Sequence, residues 1–123
     1  MKFQTLQWVS VALILAIGLI HLSMVPAEYG ETQYMGILFA INFLAAIIAT
    51  IGILRREAWG WLLGVLIAVG SLIGYILSRT VGLPGMEIEA WLQPMGLLSL
   101  AAEGIFLVLV FITKPWASSS HTN

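Results

Sequence analysis

The sequence contains no cysteine and no aspartate, and charge of either sign is scarce. Without cysteine there is no disulfide, no thiolate nucleophile and no Cys-ligated metal or iron–sulfur centre. Six glutamates are the only acids, and Lys and Arg together number five, so 9% of the 123 residues are charged. A soluble domain carries about 25%. A net charge of -1 on so few basic residues excludes a nucleic-acid footprint. The chain also lacks a glycine-rich phosphate loop, a G-x-S-x-G elbow and an HExxH pair, so no enzyme motif is present and no reaction is expected. Histidine is limited to His21 and His121, at opposite ends of the chain. A bis-His haem site is therefore excluded.

What is abundant is apolar surface: 60% of residues are hydrophobic and the mean hydropathy is +1.01. A membrane-spanning helix needs about 20 mostly apolar residues. Residues 6–25, 34–54, 59–78 and 91–113 each meet that requirement. They are bounded in turn by Pro26, by Arg55-Arg56-Glu57, by Arg79 and by Lys114-Pro115. The expected fold is an all-α integral-membrane four-helix bundle, one domain over residues 1–116, with a mobile polar tail at 117–123. Val25-Pro26-Ala27 resembles a signal-peptidase site, but the preceding region holds a single Lys, and span one is read as a retained helix.

Basic residues set the orientation. Lys2, Arg55, Arg56 and Lys114 fall on one side of a four-span serpentine, and Arg79 alone on the other with Glu28, Glu31, Glu87 and Glu89. Both termini are expected in the cytoplasm of a bacterial-type plasma membrane. Phe3, Trp8, Trp59, Trp61 and Trp116 would mark the inner interface, and Tyr29, Tyr34 and Trp91 the outer one. Lipid supplies no hydrophobic drive for helix association, so small residues must let backbones approach. Span three carries Gly60-x3-Gly64-x3-Ala68 and Gly70-x3-Gly74-x3-Ser78. Both series are expected to pack the bundle, or to dock another protein.

Polar groups inside the spans are the candidate functional residues. At about 1.5 Å per residue, Glu103 falls about 18 Å below Trp91, near the midplane, and Asn42 about 12 Å below Tyr34. Ser71 and Ser99 share the Asn42 level, His21 and Tyr75 lie nearer the outer end, and Arg79 stands at the boundary. Glu103, Asn42, Ser71 and Ser99 thus form an expected intramembrane cluster. Ser99 and Glu103 are four apart and share one helical face. A carboxylate in hydrocarbon without a cation is costly, so Glu103 is expected to hold its proton and to bond Asn42, Ser71, Ser99 or a backbone carbonyl. It then serves either as polar glue or as a proton- or ion-coupling site. His21, Tyr75, Arg79, Glu28 and Glu31 make an outer-face candidate site. His21 is either satisfied by a neighbour or a metal ligand with Glu28 or Glu31. One His with carboxylates is a weak pattern for a metal, and no metal or other cofactor is assigned. Gly82, Pro84 and Gly85 prescribe a defined turn after Arg79. Arg79 would cap the bundle there or recognise an anion.

His21, Glu28, Gly36 with Phe39, the run Arg79-Thr80-Val81-Gly82-Leu83-Pro84, and Glu103 together resemble the pattern of a poorly characterised group of small four-span bacterial membrane proteins with an Arg-Thr-x-Gly-x-Pro outer turn. Members carry a second His after span one, where this chain has Glu28-Tyr29. The resemblance implies the four-span fold and this residue set, and no reaction.

Three functions are compatible with these features. The first is a non-catalytic accessory subunit or scaffold of a larger membrane complex, of which a respiratory or photosynthetic assembly would be a natural host. The second is a small oligomeric transporter or channel. The third is an outward-facing binding protein for a metal, lipid or quinone. The expected partners are membrane lipids and other membrane-protein subunits.

Overall fold

The structure of the protein is a computed structural model that describes residues 2–119, with side chains through residue 117. Its elements in chain order are α1 (Phe3–Glu31), α2 (Gln33–Leu54), α3 (Ala58–Arg79), α4 (Pro94–Thr113) and the short α5 (Pro115–Ser119). No strand occurs among the described residues. The first four helices are long and apolar enough to cross a membrane. In lipid only a helix or a closed barrel satisfies its own backbone polar groups, which is why these apolar runs are helical from end to end. The protein is an all-α integral-membrane four-helix bundle. Each helix packs on its sequence neighbours, and α4 returns to α1, so the four form a closed ring in which α2 and α4 stand diagonally; α5 folds onto α3.

Two boundaries differ from the sequence expectation. Pro26 does not end α1, which continues to Glu31 for 29 residues, or about 43 Å against a hydrocarbon core of about 30 Å. Proline deletes only its own N–H, and the turn beyond it gains a partner in α2. Gly36 comes so close that a Cβ on it would lie 2.6 Å from Tyr29 Cα. Thr32 alone joins the two helices. Its N–H donates to Glu28 O at 2.7 Å, and its carbonyl accepts from Met35 at 3.0 Å and Gly36 at 3.3 Å. The second difference is at α4, which starts at Pro94 and not at Trp91. Proline suits the first helical turn but biases the residue before it away from the helix, and Gln93 is extended (φ -89°, ψ 128°). At the chain's end, 117–119 are helical, as the last residues of α5. The remainder of that expected tail, 120–123 with His121, lies outside the described residues.

The half of the bundle nearest the termini is closed. Ile14, Ile17, Ile53, Trp61, Phe106 and Val110 are fully buried there. Trp61, expected at the membrane interface, is an interior residue, edge-to-face with Phe3 at 6.1 Å. Gly52 and Gly60 bring α2 and α3 into backbone contact, where a Cβ on Gly52 would meet Gly60 Cα at 2.6 Å. Gly64 lies against Phe106 in the same way. The outer faces are apolar, with Ile41, Leu44, Ile48 and Ile51 of α2 all exposed, as lipid-facing positions should be.

The half nearest Arg79 is different. Gly70 and Gly74 continue the small-residue pattern of α3, yet a Cβ on either would meet no atom within 4 Å. The second glycine series does not pack the bundle. Four helices held tight at one end and strapped by a long loop at the other leave space between them, and this series borders it.

Candidate functional site

That space is a cavity of about 600 Å³ lined by all four long helices and by the loop between α3 and α4. Its walls are mainly aliphatic, aromatic and thioether. Met24, Met35, Met86 and Met95 all border it, together with Phe39. Among the polar residues on the wall are His21, Glu28, Asn42, Ser71, Tyr75, Arg79, Ser99 and Glu103. The two residue groups expected from sequence, one intramembrane and one outer, therefore line a single site. Glu31 does not join them; it ends α1 on the exposed surface.

At the deeper level Glu103 takes Ser99, one of its expected partners, and not Asn42. Ser99 donates to Glu103 Oε2 at 2.6 Å within α4, and Asn42 Nδ2 donates to Ser71 Oγ at 2.9 Å between α2 and α3. The reason is the ring topology: α2 and α4 are diagonal, and the cavity separates them. Each member of the expected pair keeps an unused atom. Asn42 Oδ1 and Glu103 Oε1 are buried and have no hydrogen-bond partner among the described residues. Glu103 as a whole is only 2% exposed. A buried polar atom left unpaired costs about 1–3 kcal/mol, and these two belong to residues that line the cavity from diagonal helices.

Nearer the loop, His21 Nδ1 lies 2.7 Å from Ile17 O. A carbonyl can only accept, so Nδ1 carries the hydrogen, and in the neutral ring Nε2 keeps its lone pair. The ring stands edge-on to Phe39 at 4.8 Å. Glu28 is 8% exposed, and its Oε2 is buried without a partner. Among the described residues no group of three or more His, Cys, Asp or Glu is arranged to hold a metal ion.

Arg79 does not present a free anion site. Its Nε donates to Ala90 O at 3.1 Å, Nη2 to Gln93 Oε1 at 2.8 Å and Nη1 to Ser78 Oγ at 2.6 Å, and Nη1 also lies 3.0 Å from Glu89. The guanidinium stacks on Tyr75 at 3.9 Å from the ring centre. Gly96 makes room for both side chains on the first turn of α4, where a Cβ would lie 2.8 Å from Tyr75 Cε2 and 3.1 Å from Arg79 Nη2. Arg79 thus binds the loop to the bundle. The loop is itself ordered by backbone bonds from Gly82 N–H to Leu77 O at 2.8 Å, Met86 N–H to Leu83 O at 3.0 Å and Glu89 N–H to Ser78 O at 3.0 Å. Gly82 (φ 83°) and Gly85 (φ 75°) take the left-handed conformations these turns need. The hydroxyls of Tyr34 and Tyr75 donate to Pro84 O and Trp91 O and fasten the loop to α2 and α3.

Sequence reasoning had no rule for the methionines. The signal was available, since all four borderers sit near the outer ends of their segments. Unbranched thioethers line irregular binding surfaces because they adapt to shape. No protein-family model, no curated protein and no solved structure matches the chain.

Proposed function

We propose that this protein binds a lipophilic small molecule inside the membrane, in the cavity between its helices. The observation that carries this reading is a cavity of about 600 Å³ whose mainly apolar walls also include the polar residues Glu28, Asn42 and Glu103. Ligand sites fall at about 300–1,000 Å³ and combine apolar walls with a few placed polar groups. Of the expected functions this is the binding-protein reading, with an organic lipophile in place of a metal. The role is binding and not catalysis. It is set in a bacterial-type plasma membrane with both termini cytoplasmic, the orientation favoured by Lys2, Arg55, Arg56 and Lys114 against Arg79.

The test fills the cavity from the side that has room. Gly70→Leu and Gly74→Leu place a side chain where no atom lies within 4 Å. Protein purified in mild detergent is extracted and its bound lipophiles are identified by mass spectrometry. The native chain should carry a stoichiometric compound that both variants lose while keeping their melting temperature. Equal retention in the variants would overturn the assignment.

The accessory-subunit reading has one observation of its own. The outer face of α4 has a shallow apolar groove along Leu100, Ala101, Gly104, Ile105, Val108 and Leu109, and a Cβ on Gly104 would meet nothing within 4 Å. Small residues are what a neighbouring membrane helix packs against. Native gels of gently solubilised membranes test it, since a subunit migrates with larger partners.

A further inference from the structure

The cavity has an open side. Near the termini Gly52 and Gly60 hold α2 and α3 in backbone contact. Toward the loop the two helices are held by side chains instead: Asn42 Nδ2 donates to Ser71 Oγ at 2.9 Å. A Cβ on Gly70 or Gly74 would meet no atom within 4 Å. Leu38 and Ile41 of α2 and Leu66 and Gly70 of α3 line the cavity and are exposed as well. Leu38 is 50%, Ile41 53% and Leu66 67% exposed. Lining the cavity does not by itself expose a residue. On α1 every lining residue is half-buried or buried, and so is every one on α4 beyond Met95 in its first turn. Between the ends of the helices, exposure is confined to the seam of α2 with α3, so the cavity meets the outer surface there.

That surface faces lipid. Ile37, Leu44 and Ile48 of α2 and Leu62 and Ile73 of α3 are exposed on the same two helices. An opening within it admits what the hydrocarbon layer contains, and that layer holds no water. A neighbouring helix is too wide: with side chains it is about 10–12 Å across, and one turn would take most of the volume. A hydrocarbon chain is thin and flexible enough. The walls suit such a chain. Met24, Met35, Met86 and Met95 adapt to a body without fixed shape. The polar side chains are engaged within the protein, Asn42 with Ser71, Ser99 with Glu103, Tyr75 with Trp91 O and Arg79 with Gln93. Apolar contact therefore does the filling, since a void leaves its lining atoms without dispersion partners and a chain restores them.

We propose that the seam between α2 and α3 is a lateral portal, and that the cavity's occupant is an acyl chain of a bilayer phospholipid, inserted sideways past Leu66 and Gly70 while its headgroup stays at the membrane interface. This rests on the lipophile-binding reading and names the ligand class and its route. Gly70 and Gly74 keep the portal open by having no side chain.

The experiment places the full-length protein in phosphatidylcholine vesicles that include a phosphatidylcholine with a diazirine midway along one acyl chain. After irradiation, adducts are located by mass spectrometry of peptides. Ile20 and Met24 line the cavity from α1, which stands diagonally from α3. Leu44 and Ile48, exposed on α2, report ordinary lipid contact. The native protein should carry adducts at both sets. Gly70→Trp sets an indole in the portal, and adducts at Ile20 and Met24 should fall about tenfold while those at Leu44 and Ile48 stay the same. Gly74→Trp is the second plug should Gly70→Trp not fold, with thermal melts reporting folding. Undiminished adducts at Ile20 and Met24 in a folded Trp variant would overturn the portal and leave the lipophile site standing. Adducts at Leu44 and Ile48 alone in the native protein would overturn the acyl chain as occupant, and a compound recovered by extraction would still uphold the lipophile site.

Discussion

Gly60 and Gly70 both belong to α3, in the same kind of small-residue series, with opposite consequences. A Cβ on Gly60 would lie 2.6 Å from Gly52 Cα, and its neighbours are backbone atoms that cannot swing away. Gly60→Ala should therefore part α2 from α3 and cost about 1–3 kcal/mol, as overpacking does. Gly70→Ala meets open space and should leave stability unchanged or raise it by up to about 1 kcal/mol through helix propensity. Reversible unfolding in mixed micelles with increasing SDS compares the two. Glu103 makes a residue-scale prediction of its own. Its one hydrogen bond is to Ser99 at 2.6 Å, and interhelical or side-chain bonds in membranes average about 0.6 kcal/mol. Glu103→Gln, which keeps the acceptor, should melt within a few tenths of a kcal/mol of the native chain, about the scale of a surface change.

At the scale of elements, the segment from Thr80 to Gln93 behaves as a fastened strap and not as a linker. Arg79 fixes it through Ala90, Gln93 and Glu89, and Gly82 and Gly85 turn it in left-handed conformations. Arg79→Lys retains charge but loses the planar fork and the stacking on Tyr75. Hydrogen bonds to charged groups contribute about 1.5–3 kcal/mol each to local order. Hydrogen–deuterium exchange should accordingly rise at the amides of Gly82, Met86 and Glu89 in the Lys variant, with α1 and α2 near the termini unchanged. Gly82→Ala should give a weaker form of the same pattern, since an L-residue held left-handed costs about 1–2 kcal/mol. Unchanged protection of these three amides would show that the loop is ordered without Arg79.

The whole molecule is a bundle closed at one end and open between its helices at the other, and its charge is distributed along the same axis. Arg56, in the turn between α2 and α3, lies over the Phe3 ring at 5.0 Å, so Lys2, Arg55 and Arg56 share the end of the bundle from which α1 starts. Lys114 follows α4 at that end too. Four basic residues at one end against Arg79 at the other predict an inward-facing C-terminus and an outward-facing loop. Reporter fusions at the C-terminus and within the loop at Gly85 should read cytoplasmic and periplasmic respectively. The opposite result would place the α3–α4 loop toward the cytoplasm.

The sequence by itself determined the number of spans, because about 20 apolar residues between charged or proline-bearing stops can satisfy their backbone in lipid only as helices. It also determined that Ser99 and Glu103 meet, since they are four apart on one helix. It misjudged Pro26 and Trp91, where the outcome hangs on what packs beside the turn: Gly36 beneath Tyr29 in one case, an extended Gln93 before Pro94 in the other. Only the tertiary structure decided which side chains face one another. Asn42 and Glu103 were expected at neighbouring depths, but their helices are diagonal, so each bonds elsewhere and keeps one buried, unpaired oxygen. The two glycine series of α3 are alike in sequence, and one packs while the other borders open space, because helices joined tightly at one end must diverge somewhere before the strap that holds the other.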